Sequence, residues 1–322
     1  MKLQPWLAPA WNVLAEAVRT ERLHHALLFG GPHGYGKRAL ANAFAVAALC
    51  TQRQADGHAC GTCRSCVLVA AGSHPDLVRI TFELRDDGKP RTELTIDQMR
   101  ALGQRLAMSS QFGGLQIAIV DPADAMNANA ANALLKTLEE PASSTILVLV
   151  ADDPSRLPAT IRSRCQRIDL HAPTHAQALE WLSGQGVGAD IAASTLAASM
   201  DNPGQAEDWI ADDSLAVRAE CVADLAALSA SRARPAAVAE RWAADRPEVR
   251  LWFAAALVRE EARLIGAGRR GELGLTRRTE IPKLAAWFAR ANHARGLLST
   301  TLRTELVLLD LLRGWPAQPG KT

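Results

Sequence analysis

Three groups of residues in this sequence have the types and spacing to do chemistry. The first is Gly31-Pro32-His33-Gly34-Tyr35-Gly36-Lys37-Arg38, which fits the phosphate-loop pattern G-x-x-x-x-G-K. Glycines at 31, 34 and 36 let backbone N–H groups turn toward a phosphate, Lys37 can reach its β and γ oxygens, and the helix that follows offers a positive dipole end. Arg38 stands where a Ser or Thr would ligate Mg²⁺. A second apolar run, Ile117-Ala118-Ile119-Val120, ends in Asp121, a carboxylate able to support a magnesium ion through water. Pro122 then occupies the place where a hydrolysing site needs a carboxylate. These residues leave nucleotide binding open and argue against efficient hydrolysis; the bland alternative is a glycine-rich strand-to-helix turn that binds nothing.

The second group is Cys50, Cys60, Cys63 and Cys66, spaced C-x9-C-x2-C-x2-C, with Gly61 permitting a tight knuckle. Four thiolates can close a tetrahedral zinc shell and leave no open position, which predicts a structural Zn²⁺ rather than a catalytic one. Free buried thiols, disulfides and a [4Fe-4S] cluster are the alternatives. Cys165 and Cys221 stand apart and read as ordinary residues.

The third is Arg164, in Ile161-Arg162-Ser163-Arg164-Cys165, just before an expected strand. Beyond the end of a sheet strand, a guanidinium can be offered in trans to a γ-phosphate on a neighbouring subunit, where an arginine finger accelerates phosphoryl transfer by roughly 10³ to 10⁵. The bland alternative is a surface ion pair of little consequence.

The elements that must position these residues follow from hydropathy. Short runs at Ala26–Phe29, Leu77–Thr81, Ile117–Val120, Ile146–Val150 and Arg167–Leu170, several of them continuously apolar, predict strands of a parallel sheet covered on both faces. Between them, helices are expected over Arg38–Leu49, after a capping box formed by Thr95 and Gln98, and from about Asn129 to Glu140, where Pro141 stops the pattern. Beyond about residue 171 the β-like runs give way to alanine-rich helical patterns, with a small helical region ending near Ala211. After Asp212, Val249, Trp252, Phe253, Ala256 and Leu257 share one helical face, and Leu298, Leu302, Leu306 and Leu309 repeat helical spacing, which predicts a bundle. The tryptophans from Trp209 to Trp315, with Trp181, are expected to anchor cores or interfaces.

Composition bounds the function. With 322 residues, 48% of them apolar and 22% charged, the chain suits two or three globular domains. Thirty-six basic against 34 acidic residues leave a net charge of +2, too small for an autonomous DNA-binding footprint. No apolar run approaches the ~18 residues of a membrane span, and the N-terminus lacks a continuous apolar signal, so a reducing cytoplasm is the expected compartment. Arg269, Arg270, Arg277 and Arg278 form one basic cluster, whose expected state is a solvated loop.

Taken together, the residues resemble the delta-prime family of bacterial DNA polymerase III clamp-loader subunits, within the AAA+ clamp-loader family. The likeness is carried by Pro5-Trp6-Leu7, His24-His25-Ala26-Leu27-Leu28, the cysteine insert followed by Gly72-Ser73-His74-Pro75-Asp76, the stretch Asn132-Ala133-Leu134-Leu135-Lys136-Thr137-Leu138-Glu139-Glu140-Pro141, and Ser163-Arg164-Cys165. It covers the first ~210 residues. The resemblance implies an α/β plus all-α fold: an AAA+ parallel-sheet module over 1–170 with a zinc module at about 50–66, a small helical lid domain over 171–211, and a helical collar domain over 212–322 that joins a ring of subunits. It implies a stator without its own ATPase, part of the DNA-directed DNA polymerase holoenzyme, assembled with delta and gamma/tau subunits to load a sliding clamp on primer-template DNA. It also implies that Arg164 acts as an arginine finger in an adjacent gamma/tau site and that the four cysteines hold zinc. The stretch Asn202-Pro203-Gly204-Gln205 lacks the sensing arginine of the motor subunits. Two competing readings remain: an ATP-hydrolysing motor of gamma/tau type, favoured by Gly31–Lys37 and opposed by Arg38 and Pro122, and a zinc-dependent DNA-binding protein, opposed by the near-neutral charge.

Overall fold

The computed structural model describes residues 3–85, 87–89, 91–275, 280–298, 300 and 302–316. Strands β1 (Ala26–Gly30), β2 (Leu77–Ile80), β3 (Gln116–Val120), β4 (Thr145–Ala151) and β5 (Gln166–Asp169) form one parallel sheet in the order β2-β3-β4-β1-β5. Each expected strand is present to within a residue or two at its ends. Side chains alternate between the faces of a strand, and here both faces are buried. Leu27, Phe29, Ile117, Ile119, Val148 and Val150 meet Trp11, Leu14, Leu40 and Phe44 on one face. Ala26, Leu28, Ala118, Val120, Leu147 and Leu149 meet Met99, Leu102, Leu134 and Leu138 on the other.

The first face is covered by helices α1 (Ala8–Arg19) and α2 (Lys37–Leu49), with the short α3 (Arg64–Ala70) beyond α2. The second is covered by α4 (Ile96–Leu106), α5 (Ala128–Glu139) and the single-turn α6 (Ala159–Arg162). Helix α4 starts at the expected capping box: the Thr95 hydroxyl accepts from the Gln98 N–H, and the Gln98 side chain accepts from the Thr95 N–H at 2.9 Å. Helix α5 starts a residue or so before its expected position because Asn127 caps it, its side chain accepting from the Ala130 N–H at 2.9 Å.

The chain divides into two compact units, 1–185 with 202–204, and 186–201 with 205–322. The boundary falls within the segment 171–211: α7 (His175–Gly184) stays with the sheet, while α8 (Ala189–Ala198) belongs to the second unit and α9 (Pro203–Ala211) continues into it.

The second unit is helical throughout its described residues. It contains α10 (Ser214–Ser229), α11 (Pro235–Ala244), α12 (Pro247–Gly266), α13 (Ile281–Leu297) and α14 (Thr304–Arg313). Helix α12 packs on α10 and α13, and α11 on α14. Along α12 the buried apolar residues are Leu251, Phe253, Ala254, Ala255, Leu257, Val258 and Ile265; of the stripe read from sequence only Phe253 and Leu257 are among them, Val249, Trp252 and Ala256 being half-buried, because helices close on α12 from several sides. The tryptophans at 209, 242, 287 and 315 are buried, and Trp287 donates to the Leu311 carbonyl at 3.1 Å. The leucine spacing from Leu298 to Leu309 is not one helix: α13 ends at Leu297, α14 begins at Thr304, and Leu302 and Leu306 are exposed. The face of α14 that packs inward is Leu308, Leu311 and Leu312, a neighbouring stripe at equally good spacing.

Candidate functional site

The phosphate loop lies between β1 and α2, at the carboxyl end of an interior strand, where parallel sheets present their ligand sites. Gly31, Gly34 and Gly36 all adopt positive φ. At Gly34 and Gly36 a Cβ would overlap Asn202 and Gln4 respectively, so glycine is demanded by both backbone and space. The Trp6 indole N–H donates to the Tyr35 carbonyl at 3.0 Å, tying the N-terminal segment to the loop.

The charged groups of the loop are spent on the chain itself. Lys37, only 2% exposed, donates from Nζ to the Pro32 carbonyl at 3.0 Å and pairs with the Asp152 carboxylate. Arg38 donates from Nε to Asp121 Oδ2 at 2.9 Å and, through its two terminal nitrogens, to the Asp152 oxygens at 3.2 and 3.3 Å. Asp152 reaches the loop because the parallel register sets Gly30 beside Ala151 at the end of β4.

Two of the loop's carbonyls are bonded as well. The Asn202 side-chain amide donates to the His33 carbonyl at 2.7 Å, and the Gly204 N–H donates to the Gly34 carbonyl at 3.1 Å. Asn202 is itself buried.

The electrostatics agree with the geometry. Burial lowers the Lys37 pKa, with Asp152 opposing the shift. Burial likewise raises that of Asp121, and the Arg38 guanidinium opposes it. Burial would raise Asp152 too, but hydrogen bonds from Arg38 and Lys37 outweigh it, and its carboxyl lies below the usual value. Burial works against the charge on Arg38, yet its bonds to Asp152 and attraction to Asp121 lift its pKa.

The four cysteines converge. Their sulfurs lie within 4.8 Å of one another, with Cys50 Sγ 3.6 Å from Cys60 Sγ and 3.8 Å from Cys63 Sγ, and Cys60 Sγ 4.0 Å from Cys66 Sγ. A tetrahedral shell with metal–sulfur bonds near 2.3 Å has sulfur separations of about 3.8 Å, so the set fits a metal ion; a disulfide near 2.05 Å does not match. Backbone N–H groups of Gln52 and Cys60 point at Cys50 Sγ, and those of Thr62 and Cys63 at Cys60 Sγ, at 3.2 to 3.4 Å, which favours thiolates. Burial opposes the charged form of Cys63, but N–H bonds from Cys66 and Thr51 outweigh it and bring its thiol down to about 5. Burial and the neighbouring sulfurs push Cys66 up to about 12. Cys165 and Cys221 lie outside the cluster, their thiols raised by burial to about 11 and about 12.

Arg164 lies between α6 and β5, positioned by the fully buried Ile161. Its guanidinium is partly exposed and held within the chain: NH2 pairs with Glu139 Oε1 at 2.7 Å, and NH1 donates to the Thr160 carbonyl at 2.9 Å. The structure therefore brings Gly31, Gly34, Gly36, Lys37 and Asp121 into one site, gathers Cys50, Cys60, Cys63 and Cys66 in a second, and leaves Arg164 apart from both. Sequence reasoning missed Asp152, Glu139 and the contacts of Asn202. A carboxylate one residue past an apolar strand was the available signal for Asp152. Arg269 and Arg270 are exposed, while Arg277 and Arg278 lie outside the described residues.

The sheet order, the phosphate loop and its flanking Asp define a P-loop module of AAA+ type in which Lys37 and Arg38 are internally paired. The family model described as DNA polymerase III, delta subunit, matches residues 6–174, and the chain belongs to that family. A DNA polymerase III subunit delta' of Pseudomonas aeruginosa is 44% identical over 181 residues, which cover 56% of this chain and 52% of that protein. The subunit delta' of Escherichia coli is 37% identical over 223 residues, covering 67% and 65%. A DNA polymerase III subunit tau/gamma of Haemophilus influenzae is 33% identical over 172 residues, covering 53% and 24%. The chain thus spans between about half and two thirds of the length of the delta' relatives it matches. Among the described residues, no helix is long and apolar enough to cross a membrane.

Proposed function

We propose that this chain is a non-hydrolysing, delta-prime-type stator of a DNA polymerase III clamp loader. It assembles in the cytoplasm with delta and gamma/tau subunits, lends Arg164 to a neighbour's ATP site, and helps the ring place a sliding clamp on primer-template DNA. The single observation that carries this reading is the commitment of Lys37 and Arg38 to Asp152 and Asp121. Both cations that would meet a triphosphate already have anions, Asp121 faces a guanidinium where a magnesium ion would need it, and Pro122 supplies no base. ATP binding by this subunit is weak or absent, and it contributes no activity of its own to the holoenzyme. In this reading 1–170 is the AAA+ module, 171–211 a small lid and 212–322 the collar that joins the ring.

Reconstitution with gamma/tau and delta subunits tests the proposal. An Arg164→Ala chain is expected to fold and assemble while the ATPase of the complex falls; unchanged activity contradicts the role. The identity to a tau/gamma subunit and the intact Gly31–Lys37 pattern favour the motor reading as a second choice, which ATPase by the isolated chain would establish.

The cysteine cluster holds a structural Zn²⁺ in this proposal, supported by its four sulfurs and their spacing. Metal analysis is expected to return one zinc per chain, and chelation to lower the melting temperature. Brown protein with visible absorption would instead indicate an iron–sulfur centre.

A further inference from the structure

Arg164 is held by a carboxylate whose presence helix formation does not explain. Glu139 is the last residue of α5, where the helix dipole is negative and an acidic side chain is disfavoured. Its carboxylate nevertheless meets Arg164 NH2 at 2.7 Å, while the other terminal nitrogen, NH1, bonds the Thr160 carbonyl. Each terminal nitrogen therefore already has one acceptor, and a phosphate that approaches the edge Glu139 occupies must displace its carboxylate. The two partners are fixed in place by one core, in which Leu134 and Leu138 of α5 pack with Leu157 and Ile161 around α6.

We propose that Glu139 is a positioning residue that holds Arg164 in reserve and competes for its guanidinium with the nucleoside-triphosphate phosphate of the adjoining subunit. This rests on the reading that Arg164 acts in trans. The side chains of the pair are 37% and 50% exposed, so the hold is weak enough for a multiply charged phosphate to displace it. Glu139 lowers the fraction of Arg164 ready for phosphate before ATP arrives, and once ATP is bound its contact is already lost. Removing the competitor therefore strengthens ground-state and transition-state binding alike, an effect that appears in KM and leaves kcat unchanged.

The test is the steady-state ATPase of the reconstituted complex carrying Glu139→Gln, Arg164→Ala or both, with Glu139→Ala as a second removal of the acceptor. Glu139→Gln is expected to lower the KM for ATP roughly two- to fivefold, the range of an exposed ion pair, with kcat retained. In the Arg164→Ala background the same change is expected to do nothing. If Arg164→Ala itself leaves the ATPase intact, the trans reading fails and this proposal with it. If Arg164→Ala lowers the ATPase, three results overturn the role of Glu139 and leave that of Arg164 standing: an unchanged or raised KM in both Glu139 variants, a lowered kcat, or a KM shift that persists without Arg164.

Discussion

Lys37 and Arg164 are both cations that the sequence directs at phosphates, and the fold treats them in opposite ways. Lys37 is 2% exposed, bonded to the Pro32 carbonyl and paired with Asp152. The Arg164 side chain is 37% exposed and rests on a carboxylate that is itself half in solvent. Breaking a buried pair by removing one partner costs about 3–5 kcal/mol, whereas an exposed pair contributes about 0–1 kcal/mol. The lesson is that burial and existing partners, more than motif membership, decide which cation can still serve a phosphate. The phosphate loop's Lys37 and Arg38 are paired internally, and in the proposed reading that pairing withdraws the loop from ATP.

The largest effect expected from this contrast concerns Arg164. At the neighbouring site that Arg164 is proposed to serve, Arg164→Ala should reduce ATP turnover by about 10³-fold or more, while the isolated chain melts within about 1 kcal/mol of wild type in denaturant. A large loss of stability in the isolated chain would show that Arg164 is structural instead. Next comes Asp152→Ala, which strands the buried Lys37; equilibrium unfolding should show a loss of about 2–3 kcal/mol, below the full buried-pair value because Asp152 is itself partly exposed. A neutral result would break the comparison at its other end.

A pH series sharpens the same point. The folded Asp152 carboxyl is more acidic than its unfolded value of 3.8, so its contribution is complete above that value and is lost as pH falls through the folded one. Asp152→Asn should therefore flatten the acid limb of the stability curve below pH 3.8 and leave its shape near neutrality unchanged. The smallest effect is assigned to Arg38→Ser, which restores a hydroxyl to the loop and frees Asp121. It should produce no measurable ATP turnover by the isolated chain, because Pro122 still offers no base and Lys37 is still paired with Asp152. Turnover in that variant would mean that Arg38 alone silences the site.

What the sequence disclosed and what it withheld divide along the distance between partners. The phosphate loop, the Thr95–Gln98 capping box and the cysteine knuckle are written in residues a few positions apart, so their spacing alone carries the geometry. The three interior strands β1, β3 and β4 were legible because doubly covered strands are apolar on both faces. Arg38 could be recognised only as a missing hydroxyl, since its partner Asp152 lies 114 positions away and arrives through the β1–β4 register. Asn202 is 169 positions from His33, and no periodicity connects them. Glu139 stood in plain view within a recognised stretch, but its pairing with Arg164 depends on how α5 and α6 share a core. The leucines from 298 to 309 misled for a related reason: spacing of four identifies a helical stripe without saying which of two adjacent stripes faces inward.

Calorimetric titration of the purified chain with MgATP, paired with an assay of phosphate release, tests most directly whether the loop is closed by its own carboxylates. Heats too small for a submillimolar Kd and no phosphate above the uncatalysed background are the expected result. Tight binding accompanied by turnover from the unaided chain would contradict it.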